Sequence, residues 1–172
     1  MKKNKKSFLI NKVCEGFSLI EILIVISIFS VIGILSTRAI LLTMRGAKKS
    51  DSQVRVRENV NYALSVIERQ IRNSEGVTCP NPNPLILNYI SPEGTQTTFS
   101  CVTAGTDKYI ASGSARLTSS DIVVTSCSFD CTQTDLNNPP VVKVSVVAED
   151  STATSVEKGS ITAETEIVTR NY

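Results

Sequence analysis

The chain has 172 residues, 41% of them apolar and 20% charged, enough for one domain with an appendage and too apolar to be disordered. It contains no histidine, which removes Ser-His-Asp and Cys-His catalysis and every zinc site built on imidazole. With no tryptophan, four Tyr and five Phe, it lacks the means for a base-stacking nucleic-acid platform. The net charge of +2 conceals a segregation. Residues 1–16 sum to +4 (five Lys, one Glu), residues 17–75 to +3 (eight basic, five acidic) and residues 76–172 to −5 (five basic, ten acidic).

Ile22 to Thr37 is a run of 16 residues without a charge. As a helix it covers about 24 Å, short of a bilayer core of about 30 Å. Starting at Phe17 gives 21 residues, enough to span, but the segment then contains Glu21. A secretory signal peptide has this basic-then-apolar form, yet Ser36-Thr37-Arg38-Ala39 places an arginine where signal peptidase prefers small residues. A plain N-terminal anchor is the other simple reading. Neither accounts for a carboxylate near the start of the span, which costs energy in lipid and calls for a partner. Lysines 2, 3, 5, 6 and 12 precede the run, but Arg38, Arg45, Lys48, Lys49, Arg55 and Arg57 follow it, so positive charge does not orient it. Cysteine usage does. Cys79, Cys101, Cys127 and Cys131 form an even set in the acidic C-terminal region, as suits an oxidising compartment, with three pairings open.

Gly16-Phe17-Ser18-Leu19-Ile20-Glu21, after a lysine-rich leader and before an unbroken apolar run, resembles the class III signal of type IV pilins and pseudopilins. The resemblance implies cleavage by prepilin peptidase between Gly16 and Phe17, N-methylation of Phe17, and retention of the apolar helix. It also makes Glu21 the assembly residue. The physics agrees: cleavage creates a cationic α-amine, and an amine and a carboxylate attract far more strongly in low dielectric than in water. A subunit that offers Glu21 to a neighbour's Phe17 amine therefore favours assembly and sets its register. The chain departs from the family in having Glu15 before the glycine, a 16-residue leader, and no proline before Pro80, which leaves Gly33 or Gly46 to loosen the helix.

Beyond the run, Val56, Val60, Leu64, Ile67 and Ile71 form one apolar helical stripe. Asp51 with Arg55 and Glu68 with Arg72 are acid-before-base pairs at i,i+4, read as a solvated face. Continuous helix from Phe17 to about Glu75 ends at Gly76 and the proline-rich Cys79–Pro84 stretch. Strands are expected near Leu85–Ile90, Thr97–Val102, Lys108–Ala111, Ile122–Phe129, Val141–Ala148 and Ser160–Thr169, forming an antiparallel sheet on that stripe. The fold class is thus α+β: a long N-terminal helix packed on a C-terminal antiparallel sheet, as in pilins. The expected organisation is a leader (1–16), a transmembrane or filament-core helix (17–37), its amphipathic continuation (38–75) and a β-rich head (76–172). The helix end Glu68–Asn73, Ser119-Ser120-Asp121 and the Thr-Arg-Asn-Tyr terminus are loosely similar to minor pilins and J-type pseudopilins.

Outside the N-terminus no catalytic constellation is present, so neither an enzyme nor a cofactor is expected. Asp130 and Asp135, with Asn137 and Asn138, offer oxygen ligands to calcium without an EF-hand pattern, and an ordinary polar loop is the simpler reading. Proximity along the chain favours Cys79–Cys101 and Cys127–Cys131, although the second closes a very tight loop. The expected protein is a structural filament subunit, a minor pilin or pseudopilin of a type IV pilus or type II secretion-like system. Its partners would be prepilin peptidase, other subunits, an inner-membrane assembly platform and the bilayer. Direct nucleic-acid binding is not expected of an acidic head. It would be a single-pass inner-membrane protein with the head outside, later part of an extracellular or periplasmic filament. The alternative is an anchored or secreted extracytoplasmic binding domain that does not polymerise.

Overall fold

The computed structural model describes residues 16–133, 138–154 and 156–169. The chain divides into two compact units, Met1–Thr43 and Met44–Tyr172. One helix, α1 (Leu19–Arg72), contributes to both. Within the first unit every described residue is exposed, including the whole apolar run. This helix is long and apolar enough to cross a membrane.

In the second unit, α1 buries Ser52, Val56, Val60, Ala63, Leu64, Val66, Ile67 and Ile71, so all five residues of the expected stripe face the core. The strands are β1 (Gly76–Val77), β2 (Ile86–Ile90), β3 (Gln96–Ala104), β4 (Asp107–Ser112), β5 (Ala115–Arg116), β6 (Ile122–Thr132), β7 (Val141–Asp150) and β8 (Ser160–Val168). All pairs are antiparallel. They form two sheets, β1-β2-β3-β4-β5 and β6-β7-β8, rather than the single one expected. The two-residue strands β1 and β5 are too short to carry a recognisable alternation. The helix stripe shares one core cluster with Leu87, Phe99 and Ile110 of the first sheet and Phe129, Val142, Val144 and Val146 of the second. Phe99 stacks between Tyr89 (5.0 Å) and Phe129 (6.5 Å). Burial of each large aliphatic side chain of the stripe contributes about 1.5–3 kcal/mol before the cost of ordering it.

Two tight hairpins shape the first sheet. Ala104 pairs with Asp107 and Ser112 with Ala115, leaving the two-residue loops Gly105-Thr106 and Gly113-Ser114. Each has glycine at its first position with φ of 64° and 57°, where a type II′ turn demands positive φ.

The disulfides correct the pairing expected from chain proximity. Cys79 joins Cys131 (Cα–Cα 5.4 Å) and Cys101 joins Cys127 (5.9 Å). Cys127 and Cys131 both lie on β6, four residues apart. An extended strand separates such residues by about 13 Å, well past the ~7 Å that a disulfide tolerates. Both bonds therefore tie β6 to the earlier half of the head. The segment between the sheets completes the join: Cys101 N donates to Leu85 O (2.8 Å) and Phe129 N to Pro84 O (2.7 Å). Loops of 52 and 26 residues place the stabilisation at about 4 and 3.5 kcal/mol in chain-entropy terms.

Candidate functional site

Gly16, Phe17 and Ser18 precede the helix, and Glu21 lies in its first turn. Ser18 O accepts hydrogen bonds from Glu21 N (3.0 Å) and Ile22 N (3.3 Å). Ser18-Leu19-Ile20-Glu21 has the spacing of a capping box, and a carboxylate here is favoured by the helix dipole. The capping-box side-chain bonds themselves are not formed: Glu21 N bonds the Ser18 carbonyl rather than its hydroxyl. Among the described residues no hydrogen bond or ion pair reaches the Glu21 carboxylate. A Cβ added at Gly16 would meet nothing within 4 Å, so the fold itself does not demand glycine there. Lysines 2, 3, 5, 6 and 12 of the expected leader lie outside the described residues.

Four hydroxyls along the exposed part of the helix are satisfied within it. The hydroxyls of Ser27, Ser30, Thr37 and Thr43 donate to the carbonyls four residues earlier, at 2.8–2.9 Å. Each hydroxyl is thereby satisfied without water, as a lipid or helix-bundle environment requires. Phe17, Leu19, Phe29 and the aliphatic residues between them are exposed, a surface far too large and continuous for an isolated soluble chain.

In the second unit, a buried polar lock fastens α1 to the β7–β8 loop. Asp150 and Ser52 are each only 1% exposed. Ser52 Oγ donates to Asp150 Oδ2 (2.8 Å), Arg55 donates to the same oxygen (2.9 Å), and Thr152 donates to Oδ1 from its backbone N (2.9 Å) and Oγ1 (2.6 Å). Gly159 N donates to Ser52 Oγ (2.8 Å), and Asp150 N to Gly159 O (3.0 Å). Burial alone would raise the Asp150 pKa. The bonds from Thr152 and Ser52 and the Arg55 charge outweigh it and hold the carboxyl below its ordinary 3.8. A group depressed in the folded state stabilises the fold above its unfolded pKa and loses that contribution as pH falls through the folded one. Asp150→Asn is accordingly expected to lower stability at pH 7 by about 2 kcal/mol, the scale of hydrogen bonds to a charged group. The deficit should shrink once pH drops below about 4. Denaturant unfolding of the detergent-solubilised chain at pH 7 and pH 3 reads both values, and an equal deficit at the two would contradict the assignment.

The remaining candidates are reported where they fall. Asp130 is exposed on β6 and pairs in register with Lys143 across β7, a cation where a metal site would need another anion. Asp135 and Asn137 lie outside the described residues. Among the described residues no group of three His, Cys, Asp or Glu converges as metal ligands. A cleft of about 470 Å³ between the end of α1 and the first sheet is lined by residues including Arg69, Gln70, Asn73, Tyr89 and Ser112. Its central groups bond one another: Tyr89 Oη donates to Gln70 Oε1 (2.7 Å) and Ser112 Oγ donates to the same atom (3.3 Å).

A membrane-length exposed helix leading into a disulfide-bonded antiparallel head is a pilin-like α+β layout. Residues 11–37 match the family described as the prokaryotic N-terminal methylation motif, so the chain carries a prepilin-type signal of the type IV pilin-like kind. No curated protein and no solved structure matches the chain.

Proposed function

We propose that the chain is a structural subunit, a minor pilin or pseudopilin, of a type IV pilus or type II secretion-like filament. Prepilin peptidase removes residues 1–16 and the new Phe17 amine is methylated. The helix over 17–37 holds the subunit in the inner membrane and then in the filament core, with 38–75 as its amphipathic continuation. Residues 76–172 form a head on the outer side of that membrane. Assembly proceeds on an inner-membrane platform through Glu21, which receives the Phe17 amine of a neighbouring subunit. The chemistry is association, not catalysis.

One observation carries the reading. An acid with no partner among the described residues sits at the start of a fully exposed apolar helix, inside the segment that matches the methylation motif. The acid in lipid needs a cation, and the apolar surface needs other helices once it leaves the bilayer. Two disulfides in the head suit an oxidising exterior. The open space at Gly16 supports a glycine kept for a peptidase rather than for the fold.

Mass spectrometry of the N-terminal peptide from the membrane fraction tests this. The expected product begins at N-methylated Phe17. A retained Met1 would leave an anchored binding domain, and a start near Ile40 a secreted one.

A further inference from the structure

Along α1, the face that the head covers is marked by Ser52, Val56, Val60, Leu64, Ile67 and Ile71, all buried. Carried toward the N-terminus at the same spacings of three and four, that face passes through Lys49 and Arg45. Both are exposed, and among the described residues neither has an ion pair or hydrogen bond. Their neighbours are occupied within the chain: Arg55 by Asp150 (2.9 Å) and Lys48 by Glu157 (3.8 Å). The face of the helix that carries the head thus turns cationic, and unpaired, within a turn of leaving it.

The complementary feature is the outer face of β6-β7-β8. Strand register aligns Asp130, Lys143 and Glu166 in one row across the three strands, and Ser128, Ser145 and Glu164 in the next. Lys143 is drawn diagonally to Glu164 (3.3 Å). Asp130 and Glu166 remain exposed on either side of it, without an ion pair among the described residues. Two strand spacings set these carboxylates about 10 Å apart, within reach of two long cationic side chains at i,i+4 on a helix.

We infer that Arg45 and Lys49 of one copy receive the outer sheet face of a second copy through Asp130 and Glu166. This rests on the filament reading and names the surface that registers one head beneath another. An anionic lipid surface would also attract Arg45 and Lys49, but it leaves the acidic face unexplained, whereas a second copy uses both patches. Because the two patches differ, the contact is heterologous and leaves each copy with one patch for the next, as a filament needs. Exposed ion pairs add little affinity individually, so the contact acts on register and encounter rate while the apolar helices supply cohesion.

The test uses the full-length chain in cells, reading sheared filament yield against processed subunit in the membrane. Arg45→Glu with Lys49→Glu should lower the yield about ten-fold, and Asp130→Lys with Glu166→Lys likewise, since like charges then face each other. The four substitutions together should restore most of it. Lys49→Cys with Glu166→Cys should give intermolecular disulfide ladders. Unchanged yield in either double variant overturns the inference. So does a loss that the fourfold swap fails to rescue, the outcome expected if Arg45 and Lys49 serve anionic lipid. If the N-terminus is not methylated Phe17, the filament reading itself fails and this contact with it; if it is, but the chain does not assemble with its own copies, only this contact fails.

Discussion

Glu21→Ala is expected to abolish filament formation while membrane insertion persists or improves. Removing the carboxylate takes a charged group out of the apolar segment, so insertion becomes easier. In the filament core proposed above, the same change would leave the neighbour's Phe17 amine cationic and unpaired in low dielectric. Breaking a buried pair in this way costs about 3–5 kcal/mol, a factor of roughly 100 or more at every subunit addition. The effect multiplies along a polymer. Processing should continue, because the alanine leaves Gly16 and Phe17 in place. The measurement is the ratio of sheared filament to methylated subunit in the membrane. A variant that polymerises normally would return Glu21 to its local role in the first turn of α1, where the Ser18-x-x-Glu21 spacing already favours an acid.

Gly159→Ala is expected to destabilise the head strongly, although it adds one methyl group. The added Cβ would lie 2.5 Å from Gln53 N, 2.7 Å from Ser52 C and 2.8 Å from Gln53 Cα. These are backbone atoms inside a helix and have no rotamer by which to yield. The β7–β8 loop must retreat, and the bonds from Gly159 N to Ser52 Oγ and from Asp150 N to Gly159 O stretch with it. Overpacking and the loss of buried hydrogen bonds together place the cost at about 3 kcal/mol or more. That corresponds to a fall in Tm of roughly 10 °C. Gly46→Ala is the control: it lies in α1 with nothing within 4 Å of the new Cβ. It should be neutral or stabilising by about 0.5–1 kcal/mol, since alanine is the better helix former. Thermal melting of the solubilised chain distinguishes the two, and a Gly159→Ala melt within two or three degrees of the parent would refute the close approach.

The lock around Asp150 and the cationic stripe below it occupy consecutive turns of one helix. Ser52 and Arg55 hold the head, and Arg45 and Lys49 stand free beneath.

What the amino-acid order determined alone is the chemistry that is local in the chain. Gly16, Phe17, Glu21 and the apolar run fall within a few helical turns, so their pattern is visible without a fold. The stripe from Val56 to Ile71 is equally local, because helical periodicity converts spacing into a face. Six strands were readable from β-type runs between turn residues, with ends within a few residues of those observed. The tertiary structure alone decided what joins distant segments. Ser52 meets Asp150 across 98 positions and Gly159 across 107. No periodicity reports such a meeting, and a serine, an aspartate and a glycine read singly as loop and surface residues. The division into two sheets and the pairing of Cys79 with Cys131 belong to the same class. Chain proximity favoured joining Cys127 to Cys131, but an extended strand holds them apart, and only the packing of β6 against the earlier half of the head gives each cysteine a partner within reach.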